Sequence, residues 1–218
     1  MIGMPTVLVE RARSGAGPLR GVGGRGPGPS GGGARPHQEP GPLSTGLLGV
    51  AAFVAAITML FLAFTSAYVV RRQEPGWPAI AVPDVLWLNT ALLLASSATL
   101  EWARRRIRRG DELGLRRGVE ATAALGLLFA AGQVVAWRQL AAQGIYLVTN
   151  PHSSFFYVLT ATHGLHLLGG IAALAVVAVR TWQHRYTAER HGGVVNCAVY
   201  WHFLDLLWLY LFVLLFWA

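Results

Sequence analysis

Lysine is absent from this 218-residue chain: all 18 of its basic residues are arginine. Cysteine is nearly absent, and the single Cys197 excludes an internal disulfide. Charge of either sign is scarce, at 13% of residues against 54% hydrophobic, and the mean hydropathy is +0.45. That balance leaves too little polar surface to cover a soluble domain. No apolar core of a signal peptide follows the first basic residues. Strict polar–apolar alternation is also missing, which excludes a membrane β-barrel. Tryptophan is abundant instead, with eight residues. Its apolar ring and polar N–H suit a membrane interface.

Residues 1–43 differ in composition from the rest. The stretch Ser14 to Pro42 is mostly Gly, Pro, Ala, Ser and Arg. It has almost nothing to bury and should be a disordered tail. Residues 44–218 read as one all-α, polytopic membrane domain. A spanning helix needs about 20 mainly apolar residues. Five stretches meet that need, over about 47–70, 85–103, 119–140, 153–180 and 194–217. Between them, Pro75, Gly76, Pro78 and Pro83 break the first loop. Asn150-Pro151 marks a turn, Ser153 or Ser154 is a candidate cap for the fourth helix, and Gly192-Gly193 should separate the fourth and fifth.

The arginines are unevenly placed. Fifteen of the 18 fall in the tail, in the loop between spans two and three, and after span four. Arg71, Arg72 and Arg138 alone lie on the other side. The positive-inside rule then puts the N-terminus in the cytoplasm and the C-terminus outside. The run Arg104 to Arg109 sits in a short cytoplasmic loop, where it serves topology and lipid headgroups rather than nucleic acid.

Ionisable groups within a membrane are costly and call for an account. Candidates are Gln133 in span three, His163 and His166 in span four, and His202 and Asp205 in span five. A His pair at i, i+3 has the spacing to share a metal, yet no cysteine or carboxylate joins it at ligand spacing and no heme-attachment motif occurs. A proton or ion path through Glu101, Asp205 and the histidines would be sparse, and no internal repeat suggests a transporter. The reading that remains is a structural cluster of interhelical hydrogen bonds, such as His163 or His166 with Asp205 or His202.

Three strings are more particular. Trp87-Leu88-Asn89-Thr90 with Leu93-Leu94-Ala95-Ser96, then Ala161-Thr162-His163-Gly164-Leu165-His166, then Tyr200-Trp201-His202-Phe203-Leu204-Asp205 followed by Trp208 occur in one order. In motif and spacing they resemble three helices of subunit III of the heme-copper respiratory oxidases, over roughly residues 47–217. Trp87, Asn89, Thr90, Ser96, Tyr200 and Trp201 carry much of that likeness.

The resemblance implies the short five-helix bacterial form, in a bacterial plasma membrane. It implies no catalytic residue, cofactor or metal in this chain, with hemes and copper held by partner subunits I and II. The role implied is to stabilise subunit I and support its proton uptake during oxygen reduction. Phospholipid is an expected partner, with Arg180 and His191 as candidate lipid contacts. The corresponding subunit of a quinol oxidase, or a relative accompanying nitric oxide reductase, is the alternative within the family; an independent proton or ion transporter is the alternative outside it. One departure is clear: where longer members carry a buried Glu in the helix matching span one, Thr58 stands here.

Overall fold

The computed structural model describes residues 45–73, 83–149 and 151–216. The tail expected over 1–43, the loop residues Pro75, Gly76 and Pro78, and Asn150 lie outside these. The described chain forms five helices: α1 (Thr45–Arg72), α2 (Val85–Arg108), α3 (Glu112–Ala142), α4 (Pro151–Trp182) and α5 (Gly192–Phe216). They pack as a bundle in which α5 touches α1, α2 and α4.

Four of the five, α1, α3, α4 and α5, are long and apolar enough to cross a membrane. Helix α2 is the exception. Its uncharged part runs from Val85 to Leu100, which rises only about 24 Å at 1.5 Å per residue. Glu101 and four arginines fill the remainder. The outward faces of the bundle are apolar: Met59, Leu62, Leu128, Leu168 and Leu206 are all exposed. That is the reverse of a soluble protein and suits a hydrocarbon surround.

Sequence chemistry explains the joints. The α2–α3 turn is tight because Gly110 adopts φ 76°, a left-handed conformation that Cβ-bearing residues avoid. Asp111 then caps α3, its side chain accepting from the Gly114 backbone N–H at 2.7 Å while pairing with Arg106 at 3.2 Å. The two helices pack closely along their length. At Gly118 an added Cβ would sit 2.6 Å from the Ala103 Cβ, so glycine sets the interhelical distance there.

Two junctions differ from the sequence reading. Gly192 and Gly193 are the first residues of α5 rather than a spacer before it. The first turn of a helix tolerates glycine because its N–H groups lack intrahelical partners. Gly193 is also needed for space, since a Cβ there would meet the Tyr186 Oη at 2.6 Å. Helix α4 begins with Pro151, a residue whose fixed φ suits the first helical position. Ser153 and Ser154 are therefore inside the helix and not at its cap. The Ser154 hydroxyl donates to the Leu147 carbonyl at 2.5 Å and ties the preceding loop down. Helix α3 starts at Glu112 rather than 119, because its first turns are polar and add nothing to an apolar count.

Candidate functional site

The ionisable and carboxamide candidates within the spans fall into three places. The largest joins α2 to α5. Trp201, fully buried, donates its indole N–H to the Ser96 Oγ at 3.0 Å. About two turns further along α5, Trp208 donates to the Thr90 Oγ1 at 3.1 Å. On the next strip of the same face, Ser97 Oγ and His202 Nδ1 lie 2.5 Å apart. The other ring nitrogen of His202 is 3.9 Å from Glu101 Oε2. Glu101 in turn pairs with Arg104 at 2.7 Å and Arg105 at 3.0 Å, as its spacing from both predicts.

Asp205 follows His202 by one turn and is buried. Ser97 faces it, but its hydroxyl is committed to His202, and neither Asp205 oxygen has a hydrogen-bond partner among the described residues. The row from Arg105 through Glu101, His202 and Ser97 to Asp205 therefore runs from the charged end of α2 into the interior.

His163 occupies a second place. Its ring lies 5.4 Å from Trp208 and 6.3 Å, edge to face, from Phe129. Neither ring nitrogen has a hydrogen-bond partner among the described residues, and the same holds for the carboxamide of buried Gln133. His166 occupies the third. Its Nδ1 pairs with the Thr162 carbonyl at 2.8 Å, and its ring packs on Phe53 and Phe61 of α1.

The hydrogen bonds expected from His163 or His166 to Asp205 or His202 are thus not formed among the described residues. Residues three apart on a helix point about 60° away from each other. That angle is enough to send His163 toward α3 and α5 while His166 faces α1. Of the candidates, His202 is held by Ser97 and His166 by the Thr162 carbonyl, partners the sequence reading did not single out. Ser97 stands four residues before Glu101, so both lie on one face of α2. Thr99 and Thr122 are a further missed pair, 2.8 Å apart across α2 and α3.

The motif residues are mostly interior. Asn89 is buried, and a Cβ at Gly132 would collide with its carboxamide. Tyr200 donates to the His166 carbonyl at 3.0 Å. Trp87 faces outward and packs edge-on against Phe212 at 4.8 Å. Thr58 is exposed, its hydroxyl donating to the Val54 carbonyl at 2.8 Å.

Arg180 lines a cavity of about 630 Å³ between α1, α4 and α5, with apolar walls such as Phe53, Val176 and Val177. Tyr186 lines it beside Arg180; burial pushes its phenol above the usual range, so it stays protonated. His191 is half-buried at the start of α5 and does not line this cavity. Among the described residues, no group of three or more His, Cys, Asp or Glu stands close enough to hold a metal.

A bundle of long apolar helices, pinned by indole and hydroxyl contacts, defines a polytopic helical membrane protein. The family model for Cytochrome c oxidase subunit III matches residues 41–218. The cytochrome c oxidase subunit 3 of Synechocystis sp. is 34% identical over 186 residues, covering 83% of this chain and 78% of that protein. That of Thermostichus vulcanus is 34% identical over 178 residues, covering 78% and 86%. That of the carp Cyprinus carpio is 34% identical over 196 residues, covering 83% and 72%. The chain belongs to the cytochrome c oxidase subunit III family, and so to an oxidoreductase complex of respiration.

Proposed function

We propose that this chain is the non-redox subunit of a cytochrome c oxidase in a bacterial plasma membrane. It crosses the membrane five times, with α2 included and the N-terminus in the cytoplasm. It packs against the catalytic subunit I, with subunit II in the same complex, stabilises that subunit and supports its proton uptake. Hemes and copper belong to those partners. The arginine asymmetry supports the orientation. The apolar outer faces of α3 and α5, which flank α2, support its place in the membrane.

The observation that carries the reading is the α2–α5 seam. Trp201–Ser96, Trp208–Thr90 and Ser97–His202 commit these side chains to holding helices together. A scaffold uses such groups this way. The seam also ends in the Glu101–His202–Ser97 row near the arginine-rich end, a placement that suits proton support at the cytoplasmic side. The cavity at Arg180 fits a phospholipid, its phosphate on the guanidinium and an acyl chain along the apolar wall.

The test is purification through a tag on this chain in mild detergent, followed by an optical spectrum and metal analysis. Heme and copper should travel with the partner subunits and be absent from the chain freed of them. Stoichiometric heme or copper on the isolated chain would reject the non-redox assignment. Absence of heme-bearing partners would reject the complex.

A further inference from the structure

Arg138 is one of the three arginines that the topology argument places on the arginine-poor side. It stands near the end of α3 on the arginine-poor side, exposed, and no acidic partner reaches it among the described residues. It lines a cavity of about 550 Å³ between α3 and α4. Three aromatic residues, Trp137, Tyr146 and Tyr157, share that rim. Two of them are held in place: the Trp137 indole donates to Thr160 Oγ1 at 3.2 Å, and the Tyr157 hydroxyl donates to the Ile145 carbonyl at 2.8 Å.

The cavity does not end there. Val134, Trp137 and Ala161 also line a second cavity of about 310 Å³ deeper between the same helices. The two form one groove that follows α4 from Val158 to Leu168. Ten residues of helix rise about 15 Å, half of a hydrocarbon core about 30 Å thick. The polar atoms of Gln133 and His163, which border the deep part, are closed off from it. The groove therefore offers an apolar channel one leaflet deep, with a cation and an aromatic belt at its mouth.

We infer that the α3–α4 groove is a binding site for one acidic phospholipid, its phosphate on Arg138 and one acyl chain along Val134, Ala161 and Leu168. Charge complementarity selects the lipid over a neutral apolar occupant, because a free guanidinium at the mouth matches a phosphate. The site is at the opposite end of α4 from the Arg180 cavity and shares no residue with it other than Leu165 of the deeper part.

The experiment counts phospholipid by headgroup, per copy of this chain, in the complex purified through it in mild detergent. Native mass spectrometry reads the retained lipid, and exchange into vesicles of phosphatidylglycerol or phosphatidylcholine reads the headgroup preference. Arg138→Ala should lower retention of the acidic lipid about fivefold, the share of one arginine near a membrane surface; Arg138→Lys should retain it. Ala161→Trp, at an exposed position where both cavities meet, should displace the lipid while Arg138 is intact. Wild-type lipid content in both Arg138→Ala and Ala161→Trp would overturn the assignment. So would a photo-crosslinker at Val134 that captures only protein, which would make the groove a docking face for a partner helix. Because the count is per copy of this chain, it stands apart from whether heme copurifies.

Discussion

Ser97 on α2 and His202 on α5 meet through Oγ and Nδ1 at 2.5 Å, in the interior between two helices that are far apart in sequence. This contact ties α2 to α5 directly, and it occupies the Ser97 hydroxyl that Asp205 also faces. Replacing Ser97 by Ala should lower stability by about 0.6–2 kcal/mol, the range of such contacts between membrane helices. The readout is the temperature at which the purified complex loses its spectrum. His202→Gln, which keeps a polar end, should lose less than His202→Leu.

Trp201 is the larger anchor. It is fully buried, it donates to Ser96, and a Cβ at Gly126 would lie 2.7 Å from its ring. Gly126→Leu should therefore cost about 1–3 kcal/mol through overpacking, and Trp201→Ala about 3–5 kcal/mol through the cavity left behind. Both should reduce the amount of chain recovered in the complex. A wild-type yield for Trp201→Ala would contradict the packing described.

Glu101 should matter much less. Its pairs with Arg104 and Arg105 lie at i+3 and i+4 and are partly exposed. Such pairs contribute about 0.3–0.5 kcal/mol each. Glu101→Gln should shift the melting temperature slightly, with the shift shrinking as salt is raised.

Asp205→Asn separates a structural role from a proton-handling one. Asn keeps the volume and can neither ionise nor pass on a carboxyl proton. Less assembled complex with unchanged turnover per heme is the expected result. Full assembly with abolished pumping would place Asp205 in the proton path instead.

Arg180→Ala should remove a phospholipid from the cavity between α1, α4 and α5 without changing lipid at Arg138. Quantifying bound phosphate in each single variant and in the double variant checks that the two losses add.

Helix positions were legible from composition because each stretch of low charge became a helix. The Glu101 pairs followed from spacing alone. The partners of the buried histidines did not. A one-dimensional pattern shows that His163 and His166 share a broad face, but it does not show that the 60° between them spans two different neighbours. Ser97 was hidden for a related reason: a small hydroxyl in an apolar run has no pattern of its own, and only the approach of α5 gives it a task. Gly192 misled because glycine breaks helices within their interior and is tolerated at their start.

Helix α1 has one further consequence, for biosynthesis. It buries only Ile57, Phe61 and Tyr68, and among the described helices it packs against α4 and α5 but neither α2 nor α3. The ribosome makes α1 before the others and its two neighbours last. During translation α1 enters the bilayer without a docking partner, while the α2–α3 hairpin closes on its own local contacts. Its packing is completed only when α5 follows α4 out, so a chain halted before α5 leaves α1 with the smaller α4 contact alone.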